Sequence, residues 1–310
     1  MTTLHPTLSN ILQQPENPNS VPVEKQHPDE ARAEWKSDMA AVDAPGPEMA
    51  RVWDFEIPGR AGSIPARAYL PEGLPEQGRP LLIYFHGGGF IRGDIDTHDS
   101  VCRVLANAAG CLVVSAAYRL APDHRFPAAA EDGLDVVQCL SDNALQFGVD
   151  PARIAVGGDS AGGNVAIAAC LQAKERGGPA IGFQLLIYPV TDLTAGSESY
   201  RLYSKGYLLN SMPFYIASYL GPDGNPRDPL ASPLLAKDLS GLPPAYVLTA
   251  GFDPLRDEGQ EFARKLASHG VRVEHKCYDD MIHGFVSLRG LLPEADNALQ
   301  YGARRLAEAL

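Results

Sequence analysis

Apolar residues fall in short blocks along most of this chain. Leu-Leu-Ile-Tyr-Phe (81–85), Ile-Ala-Val-Gly (154–157) and Ala-Tyr-Val-Leu-Thr-Ala-Gly (245–251) are too short for helices. Continuous runs of that length are how strands buried on both faces read. Val-Arg-Val-Glu-His-Lys-Cys-Tyr (271–278) alternates instead, the pattern of a half-exposed strand. The full pattern predicts strands near 51–57, 65–70, 81–86, 111–117, 153–158, 183–188, 245–250 and 272–278. Helices are predicted near 98–109, 127–140, 161–176, 257–269 and 294–309. Beyond about residue 80 the two kinds mostly alternate, which implies a parallel sheet with helices on both faces. The two earliest strands are expected at an edge and antiparallel. The expected fold class is α/β, with a central, mostly parallel eight-stranded sheet.

Two segments break the alternation. Residues 1–50 are rich in Pro, Asn, Glu and Ala, with a helix expected around 28–40. Residues 192–228 fall between two strands and carry Tyr200, Tyr203, Tyr207, Met212, Phe214, Tyr215 and Tyr219. Aromatic side chains at that density must pack on something. They read either as a helical lid over the strand ends or as a small satellite core. Composition alone would also allow residues 1–50 to be a disordered tail.

Length, composition and charge narrow the class. A chain of 310 residues can bury one large core with an elaboration. The net charge of −12 leaves no basic footprint, so no nucleic-acid partner is expected. No apolar stretch is long enough to span a membrane, and no basic-then-apolar secretory pattern occurs in the first 30 residues. The five cysteines (102, 111, 139, 170, 277) are odd in number and form no Cys-x-x-Cys pair. Free thiols in a reducing cytoplasm are the expectation, with no bound metal.

The chemistry concentrates in two glycine-rich segments, each after an apolar run. Gly-Asp-Ser-Ala-Gly (158–162) stands between a predicted strand and a predicted Ala-rich helix. A serine on so tight a turn needs small flanking residues, and its hydroxyl projects into open space. His-Gly-Gly-Gly-Phe (86–90) ends another strand, and its glycines offer N–H groups that no side chain obstructs. Such groups can hold the charge that develops on a carbonyl oxygen. A serine nucleophile needs a base, and the base needs an acid to orient it. On a strand–turn–helix scaffold of this kind, acid and base follow the serine in the chain. Asp253 lies just past the strand 245–250, where it could either orient the base or cap the following helix; Asp257 is the nearest rival. Of the histidines after Asp253, His269 ends a helix and His275 lies inside a strand. His283 sits on the loop beyond it, beside Gly284, and is the candidate base.

These segments, with Tyr-Arg-Leu-Ala-Pro-Asp-His-Arg-Phe-Pro-Ala (118–128), Asp-Pro-Leu-Arg-Asp-Glu-Gly (253–259) and Ile-His-Gly-Phe (282–285), make the chain resemble the bacterial hormone-sensitive-lipase-like (family IV) esterases. The resemblance implies an α/β-hydrolase fold with a helical cap and a cytoplasmic serine carboxylesterase. Its substrate would be a small-molecule ester with a short- to medium-chain acyl group. It implies a triad of Ser160, Asp253 and His283, and oxyanion donors at the N–H groups of Gly88, Gly89 and Ala161. His86 would be a structural support of the glycine loop. It also implies no cofactor, pocket residues at Tyr188, Leu208 and Phe214, and an assembly that could be a homodimer. The organisation expected is an N-terminal part of the cap (1–50), a core (51–191 and 229–310) and a cap insertion (192–228). An amidase or deacetylase with the same triad, or a non-catalytic ligand-binding protein on the same scaffold, are the alternatives.

Overall fold

A computed structural model describes residues 3–14 and 20–310. Residues 1, 2 and 15–19 of the expected cap segment lie outside the described residues. Eight strands form one sheet: β1 (Arg51–Gly59), β2 (Gly62–Leu70), β3 (Arg79–Phe85), β4 (Leu112–Ala116), β5 (Val149–Asp159), β6 (Phe183–Ile187), β7 (Ala245–Phe252) and β8 (Val273–Ile282). Their order is β1-β2-β4-β3-β5-β6-β7-β8. β1 pairs antiparallel with β2 and β2 with β4; every later pairing is parallel.

Strand β3 shows why the apolar runs were continuous. Leu81, Ile83 and Phe85 face one side of the sheet, where they join Val136, Val165 and Phe262. These three come from α4 (Ala128–Asp142), α5 (Ala161–Arg176) and α8 (Arg256–Ser268). Leu82 and Tyr84 face the other side, with Leu105 and Leu299, from α3 (Asp99–Ala109) and α9 (Pro293–Ala309). Both faces are buried, so no polar alternation survives. Each fully buried aliphatic or aromatic side chain contributes roughly 1.5–3 kcal/mol.

The structure differs from the sequence pattern in three places. β5 begins at Val149, ahead of the expected residue 153, and β8 runs on to Ile282. Asp150 and Pro151 interrupt the first extension and Asp279 and Asp280 the second, so no continuous apolar run marked them, although Val149, Met281 and Ile282 are buried. α1 (Pro6–Leu12) had no periodic signal. It is docked by the fully buried Leu8 and by the His5 N–H, which donates to the Asp280 carbonyl at 2.9 Å. The expected helix near 28–40 is α2 (Pro28–Val42), begun by Pro28 and a reciprocal cap between His27 and Glu30. The segment 192–228 holds two short helices, α6 (Glu198–Tyr203) and α7 (Met212–Leu220). Among the described residues no helix is long and apolar enough to cross a membrane.

Candidate active site

The loops that follow β3, β5, β7 and β8 all leave the same edge of the sheet, the C-terminal edge where parallel sheets place ligands. Ser160 is the single residue between β5 and α5, with φ 54° and ψ −119°. A non-glycine residue is rarely found there, and the surrounding bonds hold it. The Ser160 N–H donates to the Ile187 carbonyl at 2.9 Å, and its own carbonyl accepts from Val190 N–H at 3.1 Å. The flanking glycines are required by contact. A Cβ on Gly162 would lie 2.0 Å from the Phe85 carbonyl oxygen, and one on Gly158 would lie 2.4 Å from the Gly162 backbone.

His283 is the first residue beyond β8. Its Nε2 lies 2.8 Å from Ser160 Oγ and its Nδ1 lies 2.8 Å from Asp253 Oδ2. With Nδ1–H donating to the carboxylate, Nε2 presents its lone pair to the serine hydroxyl. Asp253 is fully buried, and its other oxygen accepts from Leu255 N–H at 2.8 Å. Both readings of this residue therefore hold: it meets the imidazole and also steadies the turn into α8. Asp257 is engaged elsewhere, accepting from Ser199 N–H at 2.7 Å. His269 contacts the Lys265 carbonyl and His275 the Thr249 hydroxyl, so neither is at the serine.

Gly88 and Gly89 line the cavity beside Ser160, with φ of +119° and +64°. A Cβ on Gly88 would sit 2.0 Å from the Arg92 carbonyl oxygen. Ala161 opens α5, so its N–H is one of the donors a helix leaves unpaired. Among the described residues, the N–H groups of Gly88, Gly89 and Ala161 donate to no protein acceptor. His86 is buried, stacks on Tyr118 at 4.5 Å between centroids, and places Nδ1 2.7 Å from the Gly87 carbonyl.

The pattern had not marked the polar network beneath this loop. Asp159 Oδ1 accepts from Gly87 N–H at 2.9 Å and from the Tyr84 hydroxyl at 2.8 Å, and lies 3.2 Å from His98 Nε2. Burial alone would push the Asp159 carboxyl up, but the His98 imidazole and the donated hydrogen bonds outweigh it and hold it low. Burial likewise opposes a charge on His98, but the Asp159 carboxylate outweighs that and raises its pKa. Burial, and then the charge on His98, push His86 down to about 4. The only hint in the sequence was an ionisable residue between Gly158 and Ser160, at the end of an apolar strand.

A cavity of about 140 Å³ opens above Ser160. Its far wall includes Trp35 and Met39 of α2, and Leu208, Met212 and Tyr215 of the 192–228 segment. Leu208 is where it was expected. Phe214 is not: it lies in an outer groove with Val23, Pro28 and Arg125. One turn of α7 carries Met212 and Tyr215, three residues apart, to the cavity face, which leaves Phe214 pointing away. Tyr188, also expected in the pocket, is buried behind the His283 ring at 4.6 Å between centroids. Among the described residues no cluster of His, Cys, Asp or Glu could hold a metal ion.

Comparison with known proteins agrees with this architecture. A family model described as the alpha/beta hydrolase fold matches residues 82–287. A carboxylic ester hydrolase of Mycobacterium tuberculosis is 45% identical over 253 residues, covering 79% of this chain and 67% of that protein. An ethyl acetate hydrolase of Pseudomonas putida is 36% identical over 306 residues, 96% of each chain. A solved hyperthermophilic esterase of Pyrobaculum calidifontis superposes with a TM-score of 0.92 at 39% identity, covering 99% of both chains. With its sheet order, its strained serine turn and these relatives, the chain belongs to the α/β-hydrolase family, among the hormone-sensitive-lipase-like carboxylic ester hydrolases.

Proposed function

We propose that this carboxylesterase works through a Ser160–His283–Asp253 triad on short- to medium-chain acyl esters. The observation that carries the reading is the unbroken chain of two 2.8 Å contacts from Asp253 through His283 to Ser160, on the floor of an apolar cavity. Ser160 Oγ attacks the ester carbonyl as His283 Nε2 takes its proton. Asp253 keeps the imidazole in the tautomer that can accept this proton and stabilises the resulting cation. The carbonyl electron pair moves onto oxygen, where the N–H groups of Gly88, Gly89 and Ala161 receive it. Loss of one such donor typically costs about 10²–10³ in kcat. His283 then protonates the departing alcohol, and an acyl-Ser160 ester remains. Water, deprotonated by His283, cleaves that ester in the reverse sense. His86 and the Asp159 network keep the glycine loop in place. These groups complete acyl transfer between them, so the proposal includes no cofactor.

Residues 1–50 and 192–228 serve as the cap on a core of 51–191 and 229–310. Trp35 and Met39 from one part, and Leu208, Met212 and Tyr215 from the other, close a cavity too small for long-chain fats. A reducing, cytoplasmic setting suits the five free thiols; burial pushes Cys111 up to about 12 and Cys277 to about 11. A homodimer is supported by β8, a ten-residue strand at the end of the sheet order with no strand on its outer side among the described residues.

Ser160→Ala tests the mechanism. Turnover of p-nitrophenyl butyrate should drop on the order of 10⁶ in kcat, and a serine-directed organophosphate should no longer label the protein. Retention of more than about a hundredth of the wild-type kcat, with contamination excluded, would reject Ser160 as nucleophile.

A further inference from the structure

Arg92 stands out in the cavity wall. It belongs to the same loop as the glycine donors, and its N–H donates to the Gly88 carbonyl at 3.2 Å. Its side chain lines the cavity that holds Ser160 and His283. The guanidinium carbon lies 3.9 Å from the centroid of the Trp35 ring and 5.3 Å from that of Tyr215. One ring comes from α2 and the other from α7. Aromatic stacking leaves a guanidinium only its in-plane edge for donating hydrogen bonds.

Among the described residues that edge meets no acceptor, and Arg92 Nε is buried without one. Among the described residues the Arg92 side chain makes no ion pair within 4.0 Å. Arg32, by contrast, reaches the Ile91 and Ala121 carbonyls and Asp123. A buried donor left unpaired costs free energy that an incoming acceptor recovers. The charge on Arg92 is balanced from a distance by Glu24, Glu34 and Asp38 on the exposed side of the cap. These carboxylates offset part of the charge on Arg92 and weaken its pull on a further carboxylate. The hydrogen bond to a neutral oxygen is not opposed in this way.

We propose that Arg92 makes the cavity selective for esters carrying a second, neutral oxygen acceptor, such as an ether, a hydroxyl or a further ester carbonyl. This rests on the reading of Ser160 as the nucleophile in the same cavity. The donor edge and the Trp35–Tyr215 clamp then act on a part of the substrate away from the scissile bond, and selectivity appears in kcat/KM.

The experiment compares isosteric esters that differ by one oxygen. On the acyl side these are p-nitrophenyl hexanoate against p-nitrophenyl 3-ethoxypropanoate and 4-methoxybutanoate. On the alcohol side they are hexyl butyrate against 2-propoxyethyl butyrate. Mono-p-nitrophenyl adipate supplies the carboxylate. The ether-to-alkyl ratio of kcat/KM in wild type is divided by the same ratio in Arg92→Met, which cancels intrinsic reactivity. We expect a quotient of about ten or more on at least one side, as a hydrogen bond from a charged donor provides, with Arg92→Lys between the two. Quotients near one on both sides would overturn the proposal, as would an Arg92-dependent preference for the adipate monoester. Should the Arg92 variants not fold, calorimetry of the same esters with full-length Ser160→Ala decides, and ether esters binding no tighter than alkyl esters reject it. Turnover persisting in Ser160→Ala would instead bring down the nucleophile assignment itself.

Discussion

The buried charges under the glycine loop control more than local geometry. His98 and Asp159 form a pair that holds Gly87 by its N–H, while His86, held neutral beside them, titrates only at about 4. An unfolded histidine takes its proton near pH 6.5. As pH falls from there towards 4, the unfolded chain binds a proton at position 86 that the folded protein refuses. Stability is therefore lost across that window through His86. His98 has the opposite sign: its raised pKa contributes stability that is fully present below the unfolded value and fades as pH rises through the folded one. His86→Gln should accordingly show a shallower loss of unfolding free energy between about pH 6.5 and 4, followed by urea denaturation at each pH. Parallel slopes for wild type and variant would contradict a neutral His86.

Helix α2 holds its place by few buried contacts. Ala31 is its only fully buried residue. Arg32 ties it to the Ile91 and Ala121 carbonyls and Asp123, and Lys36 ties it to Asp94 at 2.8 Å and Asp96 at 2.5 Å. Exposed ion pairs of this kind contribute about 0–1 kcal/mol each and weaken with salt. The helix nevertheless supplies Trp35 and Met39 to the cavity. Its removal should thus alter selectivity as well as stability. Deleting residues 1–35 is expected to flatten the dependence of kcat/KM on acyl length and to lower Tm, with the triad still assembled on the core. Measurement across p-nitrophenyl esters of two to twelve carbons, a span chosen to exceed the pocket, would decide. An unchanged profile and Tm would make this segment a tail and not part of a cap.

At the scale of the molecule, both end strands of the sheet, β1 and β8, lack an outer strand partner among the described residues. β1 is the first half of a tight hairpin that turns between Gly59 and Gly62. β8 is the longer of the two, a run of ten residues partly exposed from Val273 to Asp280. Unpaired N–H and C=O groups in such a row favour pairing with a second copy. Light scattering at tens of micromolar, a range in which modest interfaces persist, should give twice the chain mass of 33.2 kDa. A monomer throughout that range would rule out the homodimer.

What the sequence by itself determined is what local backbone geometry demands. Gly158 and Gly162 admit no Cβ, the Gly88 and Gly89 conformations favour glycine, and the buried strands write themselves as continuous apolar runs. Ser160, Asp253 and His283 were legible because each sits at a strand end, and strand ends are marked by the pattern. Asp253 was preferred to Asp257 because it lies on the loop at the strand end and not one turn inside the helix, and the contacts of the folded chain differ accordingly: Asp253 meets His283, and Asp257 accepts from Ser199 N–H. The inward face of α7 was illegible. Met-Pro-Phe-Tyr-Ile-Ala-Ser-Tyr-Leu is apolar nearly all round, so its periodicity carries no phase, and Phe214 could not be told from Tyr215. The Asp159–His98 pair and the clamped Arg92 join residues distant in the chain. Their burial and their partners are properties of the packed molecule, which a one-dimensional pattern of polarity does not encode.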